Sequence, residues 1–327
     1  MKIPDLLENA IEEKLNHVKL TELKPYASKL SEKYMYQERT GDTLLNTEIE
    51  ALAYSIMRMP ATYGAVYTAL KHTLERIDAN IQSVLDIGAG TGATTWAISE
   101  LLDTKNIQCF EREPVMLELG KSFMSQNPKL KDISWDYIDI VKDDLDVKAD
   151  LVVTSYMLNE IKAENRKDVI SKLINSSNHI ILIIEPGTPE GFRNIKEVQK
   201  IAIENGLYII APCTFQGICP LPDEDWCHAI VRMERTKVHK LLKSADLPYE
   251  DEKFSYIAIS KEKCDNSGIR ILRHPMIEKG KITLKVCHDG KIKEMIVTKK
   301  DKELFKRIKK KKCGDWVKTD QVQMDKN

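Results

Sequence analysis

The spacing of apolar and polar positions changes character along the chain. Up to about residue 80, apolar side chains recur at helical intervals: Leu52, Ile56 and Met59, then Tyr63, Val66, Tyr67, Leu70 and Leu74. This predicts helices, with Pro60 expected to interrupt between the two runs. From Ser83 short apolar runs alternate with amphipathic stretches. Strands are expected at 83–87, 107–111, 133–138, 150–155 and 179–185, with a helix near 167–174. Such alternation marks a parallel sheet covered by helices, an α/β class. A turn-rich stretch follows, then a basic helix expected from His228 to Lys243 and strands at 254–260 and 268–272. Two alternating segments flank His288-Asp289-Gly290, and Asp-Gly in that setting is a strong hairpin signal. The lysine run Lys309 to Lys312 is expected to be helical or frayed.

Composition adds little until its distribution is read. The 327 residues carry 50 Lys+Arg and 50 Asp+Glu. From Val231 to Cys313, however, there are 24 basic and 12 acidic residues, so the rest is acidic by the same excess. A basic portion in a neutral chain suggests docking on a polyanion such as nucleic acid, and a solvated lysine-rich surface is the other reading. Arg232, Arg235, His239 and Lys243 recur at spacings of three and four, which on a helix gives one face suited to phosphate. The first fifteen residues hold several acids and no long apolar run, unlike a secretory or transit segment. No stretch approaches the roughly 18 apolar residues of a membrane span. Seven cysteines without an export signal point to a reducing compartment. The expectation is a cytoplasmic monomer with no membrane partner.

The strongest motif is Asp86-Ile-Gly88-Ala-Gly90-Thr-Gly92, which closes a predicted strand and opens a helix. Glycines there let the backbone turn tightly and approach a ligand. They fit a dinucleotide and S-adenosylmethionine equally. Asp86 favours the second, because a carboxylate at that point suits a cationic amino group and would repel a pyrophosphate. Glu111 ends the next strand, where an acid can accept both ribose hydroxyls, and Asp139 is a candidate for the adenine contact. The predicted cofactor set is therefore Asp86, Gly88, Gly90, Gly92, Glu111 and Asp139. The fourth strand ends in Ser155-Tyr156-Met157-Leu158-Asn159-Glu160, with neither an Asn/Asp-Pro-Pro-aromatic motif nor a cysteine nucleophile. No catalytic residue is assigned.

Cys213, Cys219 and Cys227 stand within fifteen residues of a loop broken by Pro212, Gly217, Pro220 and Pro222. A loop without a hydrophobic pattern needs a staple, and three thiolates could hold zinc or an iron–sulfur cluster. Spacing alone leaves both open, beside unlinked thiols or a transient disulfide.

Several segments together carry a family resemblance: RMPATY at 58–63, LDIGAGTGATTW at 85–96, IIEPGTPEGF at 183–192, CPLPDEDWCH at 219–228 and LPYEDEKFSYIAIS at 247–260. From about residue 50 to Gly314-Asp-Trp316 the chain resembles the methyltransferase-like proteins of the mitochondrial ribosomal small subunit and their bacterial and archaeal relatives. The resemblance implies a Rossmann-like S-adenosylmethionine-dependent methyltransferase fold, association with the small ribosomal subunit and its rRNA during assembly, and a [4Fe–4S] cluster on four cysteines. The first three ligands fall on Cys213, Cys219 and Cys227. The fourth family cysteine precedes a short hairpin turn, which matches Cys287; Cys264 and Cys313 are the alternatives. Cys109 reads as a strand residue.

The expected organisation is an N-terminal helical region (1–80), an S-adenosylmethionine-binding Rossmann-like core (81–208), and a portion holding the cysteine loop, basic helix, remaining strands and C-terminal hairpin (209–327). Two functions stay open: an rRNA methyltransferase, and a non-catalytic assembly factor using the same fold as a scaffold. A small-molecule methyltransferase with a zinc-stapled lid is a third, against which the basic C-terminal portion speaks.

Overall fold

A computed structural model describes residues 1–27, 45–104, 106–243 and 245–318. Helices α1 (Asp5–Leu15) and α2 (Glu48–Leu74) come first. The α/β succession follows: β1 (Ser83–Ile87), α3 (Ala93–Ser99), β2 (Asn106–Glu111), α4 (Pro114–Met124), β3 (Ser134–Tyr137), β4 (Ala149–Ser155), α5 (Ala163–Asn175), β5 (Ser177–Pro186), α6 (Pro189–Glu204) and β6 (Tyr208–Ala211). Then come β7 (Ala229–Glu234), α7 (Lys237–Lys243), β8 (Tyr249–Ser260), β9 (Ile269–Ile271), β10 (Met276–Glu278), β11 (Lys281–His288), β12 (Lys291–Thr298), α8 (Lys302–Ile308) and β13 (Trp316–Val317).

The larger sheet has the strand order β3-β2-β1-β4-β5-β8-β6, with β7 paired to β8. β1 runs parallel to both β2 and β4, and β2 parallel to β3, while β6 and β8 are antiparallel. This mixed sheet is the Rossmann-like methyltransferase topology. Strand order reverses between β1 and β4, and in open α/β sheets ligands bind beyond the carboxyl ends of the strands at such a switch point.

The chain divides into two compact units. The first holds Met1–Lys71, Ala79–Leu182 and Val231–Glu252. Its central strands are buried on both faces, as the unbroken apolar run in β4 requires. The second holds His72–Asp78, Ile183–Ile230 and Lys253–Asn327. It contains a five-stranded sheet in which β11 pairs with β10 and β9 and, separately, β12; β13 pairs with β9. One face of that sheet and α8 enclose a core of Ile269, Ile271, Ile282, Leu284, Val286, Val297, Leu304 and Ile308. Asp289 and Gly290 both take positive φ at the β11–β12 turn, the conformation Asp-Gly was expected to supply.

Two expectations fail. Pro60 does not interrupt: it lies inside the single 27-residue helix α2. Leu52, Ile56, Met59, Val66 and Leu70 are all buried along it, and that packing outweighs the roughly 3 kcal/mol a helix-interior proline costs. Midway, Gly64 lets Met233 of β7 pack on the helix backbone, since a β-carbon there would collide with the Met233 sulfur. The basic helix from His228 to Lys243 does not form either. Ala229–Glu234 is strand β7, whose alternating burial puts Val231 and Met233 inside and Arg232 and Glu234 outside. Only Lys237–Lys243 is helical. The period-two pattern of AIVRME was masked by basic residues that happen to recur at helical spacing. The lysine run Lys309–Lys312 follows α8 rather than extending it.

Candidate functional site

The first unit opens a crevice at the carboxyl ends of its parallel strands. Every loop that follows one of these strands contributes: Gly88 and Gly90 after β1, Glu111 and Glu113 after β2, Ile138 to Val141 after β3, and Ser155 to Met157 after β4. The glycine loop is pinned by the Gly88 and Ala89 amides, which donate to the Phe110 carbonyl at 2.9 and 3.0 Å. Gly88 has φ +71°, and a β-carbon on it would press on Met157 at 3.1 Å. The Gly90 amide donates to one Glu111 carboxylate oxygen at 2.7 Å and the Glu113 amide to the other at 2.9 Å. Burial raises the Glu111 pKa, and these amide donors work against the rise.

Of the six expected cofactor residues, Gly88, Gly90, Glu111 and Asp139 line this cavity. Asp86 and Gly92 do not. Asp86 is fully buried beneath the loop, where it accepts a 2.8 Å hydrogen bond from the Thr95 hydroxyl. Burial pushes its pKa up to about 7, with Glu111 adding to the rise and Thr95 opposing it. Gly92 caps α3 at φ +86°, where a side chain would strike Met124. Both serve the loop from behind.

Sequence reasoning missed a polar network in the first unit that includes the cavity-lining Tyr156. Tyr156, directly after β4, has the left-handed φ of 62°, uncommon for a bulky residue. Its hydroxyl donates to Glu252 at 2.8 Å, and Arg58 pairs with the same Glu252 oxygen at 3.1 Å. Arg58 also lies over the Tyr156 ring at 5.7 Å. The available signals were Arg58 and Glu252, both within the family-like segments, and the place of Tyr156 at a strand's carboxyl end.

In the second unit Cys213, Cys219, Cys227 and Cys287 line one cavity, otherwise walled largely by apolar side chains such as Phe192, Ile195 and Leu221. Burial raises the pKa of Cys213 and Cys219, and pushes Cys287 up to about 12, neighbouring thiols adding to the rise. Cys264 and Cys313 do not line this cavity, although Cys313 stands near enough to Cys227 and Arg270 to interact with their charges. The Cys264 thiol donates to the Ile209 carbonyl at 3.5 Å, and that of Cys313 to the Leu272 carbonyl at 3.2 Å. Cys109 is buried in β2, as expected. Among the described residues no three Cys, His, Asp or Glu side chains are grouped closely enough to hold one metal ion. Four thiols lining one cavity supply the donor set that a metal group, mononuclear or polynuclear, would need.

The expected phosphate residues are engaged inside the first unit. Arg232 makes two 2.7 Å hydrogen bonds to the carboxylate oxygens of Asp251 and lies 3.9 Å over the Tyr249 ring. Arg235, His239 and Lys243 converge on Glu250 at 3.3, 3.6 and 2.7 Å. Arg232 is the exposed member of the four; the His239 side chain is 1% exposed.

The family described as "Mitochondrial small ribosomal subunit Rsm22" matches residues 48–318. The human mitochondrial ribosome assembly protein METTL17 is 24% identical over 205 residues, which make up 57% of this chain and 43% of the relative. The chain thus spans less than half the length of that relative. Magnesium protoporphyrin IX methyltransferase of Synechocystis PCC 6803, solved with bound SAM, is similar at a TM-score of 0.39 and 12% identity, covering 74% of this chain and 97% of that one. Precorrin-6y C5,15-methyltransferase of Geobacter metallireducens GS-15 is similar at 0.40 and 14%, covering 60% and 86%.

Proposed function

Because the chain belongs to the family of the mitochondrial small ribosomal subunit protein Rsm22, we propose that it is an S-adenosylmethionine-binding, [4Fe–4S]-bearing assembly factor that engages small-subunit rRNA. The observation that carries this reading is the convergence of Cys213, Cys219, Cys227 and Cys287 on one cavity. The cysteine loop is the feature that sets this chain apart from methyltransferases at large. Here the residue the resemblance assigns as fourth ligand faces the other three, while Cys264 and Cys313 turn to backbone carbonyls.

In this reading the glycine loop and Glu111 hold the cofactor, with Asp139 on the crevice wall. The methyl group of S-adenosylmethionine is already electrophilic, so alignment with an acceptor supplies much of the rate and the protein's task is orientation. The cluster takes no part in that step. It cross-links the cysteine loop to β11 and orders the portion of the chain richest in lysine. Arg232 and the lysines after β12 are the surface cations offered to phosphate.

A second reading, an assembly factor that binds the cofactor without turnover, is favoured by the commitment of Tyr156 to Glu252 and Arg58. That hydroxyl is held in a structural network rather than poised as a base.

Crosslinking the protein to RNA in cells, then mapping methylation at the crosslinked positions in a deletion strain, tests both. Crosslinks concentrated on small-subunit rRNA are expected, and their absence there would defeat the assembly reading. Loss of a methyl mark at a crosslinked nucleotide would select the enzyme; marks unchanged at every such nucleotide would select the scaffold.

A further inference from the structure

Two buried arginines lie close to the cysteine cavity within the second unit. Arg270 is 2% exposed and Arg76 is 7% exposed. Arg270 lines the cavity itself. It stands opposite Cys287 across the β9–β11 ladder and opposite Trp316 across β9–β13, so its side chain shares a face with both. One guanidinium nitrogen donates to the Gly314 carbonyl, and the group lies 5.6 Å from the Tyr256 ring centroid. Its Nε has no hydrogen-bond partner. Arg76 donates to the Ile210 carbonyl at 3.2 Å and sits 4.7 Å over the Trp316 ring, with Nε and Nη2 unpartnered.

Neither arginine forms an ion pair with a carboxylate among the described residues. Their neighbours are aromatic rings, backbone carbonyls and, for Arg270, the sulfurs of the cavity. A guanidinium cannot shed its proton to escape this setting, and an uncompensated buried charge is strongly unfavourable. Among the described residues that line the cavity, the groups able to carry negative charge are the four cysteines and the Tyr256 phenol, and of these the thiolates are what metal binding generates.

We propose that Arg270 is the resident counter-charge of a thiolate site, with Arg76 as a second, more distant cation, so that the cavity is built to hold a group of net negative charge. The inference rests on the reading that the four cysteines bind one metal group. Four thiolates around an oxidised cubane core, or around a zinc ion, leave a net dianion, and either would complete the electrostatics that the protein alone leaves open. Reduction of a cluster adds one more negative charge, which a nearby cation favours. Arg270 is then a positioning residue that raises the cluster's reduction potential and strengthens its retention.

The test uses full-length protein purified anaerobically, as wild type, Arg270→Met and Arg270→Lys, each in loaded and metal-free form. Three results are expected. The midpoint potential of loaded Arg270→Met moves to more negative values, with Arg270→Lys close to wild type. Loaded Arg270→Met loses iron to a chelator about tenfold faster or more. The melting temperature of Arg270→Met falls below wild type when loaded but rises above it when metal-free, because the mutation then removes an orphaned charge. A merely structural arginine would lower both melting temperatures and leave the potential in place, and that outcome overturns the proposal. Wild-type protein containing zinc in place of iron would sink the cluster without touching Arg270, whose role the paired melting temperatures then decide. Wild type that binds neither metal would sink the metal reading and this inference with it.

Discussion

The Gly90 amide donates to the Glu111 carboxylate at 2.7 Å. This bond ties the loop after β1 to the end of β2 and puts one rigid surface on the crevice wall. The acid has a structural duty before any ligand arrives, and a cofactor's ribose would use the remaining lone pairs. Glu111→Gln keeps the shape but places an amide nitrogen against one of two backbone donors. We expect it to weaken S-adenosylmethionine binding by tenfold or more in calorimetry and to lower the melting temperature by a few degrees. Unchanged affinity would remove Glu111 from the site.

Gly88→Arg separates the loop's conformation from the cavity's occupancy. Its φ of +71° costs an L-residue about 1–2 kcal/mol, and the side chain must enter the crevice or displace Met157. The expected result is a folded protein with no measurable S-adenosylmethionine binding. Preferential binding of NAD by the wild type would overturn the choice of cofactor.

Acid should destabilise the chain through His239. Burial lowers its pKa to about 4, with Lys243, Arg235 and Arg58 adding to the fall and Glu250 opposing it. Above pH 6.5 the ring is neutral in both folded and unfolded chains. As pH falls from about 6.5 to about 4 the unfolded chain takes up a proton that the folded one refuses, so stability drops, and this contribution levels off below about 4. The loss is on the order of 3 kcal/mol for this site. His72 and His228 are also held low by burial, to about 3 and about 4, and act in the same direction. Urea unfolding at stepped pH should show a shallower decline for His239→Gln. A decline as steep as wild type would clear His239.

Much of the α/β core was legible because each strand is a short apolar run closed by turn residues, and that pattern follows from burial on both faces. The glycine loop and the Asp289-Gly290 turn were legible because each needs positive φ, which few residues supply cheaply. What stayed hidden depends on tertiary direction. Asp86 and Glu111 are both acids at strand ends, yet one points beneath the loop and the other lines the crevice. Arg232, Arg235, His239 and Lys243 recur at helical spacing, but the strand pairing of AIVRME with β8 decides that segment. The Arg58–Glu252–Tyr156 network joins residues up to 194 positions apart, and no local pattern announces it.

Those pairings redirect the RNA experiment. Arg235 and Lys243 already share Glu250, so reversing them would break internal ion pairs and confuse binding with stability. Lysines 309 and 310 follow α8 and are exposed. Each phosphate contact releases counterions, so removing one should flatten the salt dependence of RNA affinity. We expect Lys309→Glu with Lys310→Glu to lower rRNA affinity several-fold and reduce the salt slope, with melting unchanged. Arg232→Glu should do the same at some loss of stability, since it also breaks the Asp251 pair. If all three charges can be reversed with the slope intact, RNA is bound elsewhere.

The cysteines permit the sharpest discrimination because the chain contains its own controls. Cys287 lines one cavity with Cys213, Cys219 and Cys227, whereas Cys264 and Cys313 stand outside it and are bonded to carbonyls. Cubane ligation by four cysteines predicts brown anaerobic protein with about four irons per chain. Cys287→Ser should lower iron content and loosen the junction between the cysteine loop and β11, where the Thr214 hydroxyl donates to the Cys287 carbonyl at 3.4 Å. Cys264→Ser and Cys313→Ser should keep full iron. S-adenosylmethionine affinity should remain close to wild type in all three, because the glycine loop belongs to the other compact unit. Full iron in Cys287→Ser together with loss in Cys264→Ser or Cys313→Ser would move the fourth ligand. Colourless wild type with one zinc would replace the cluster by a simple staple.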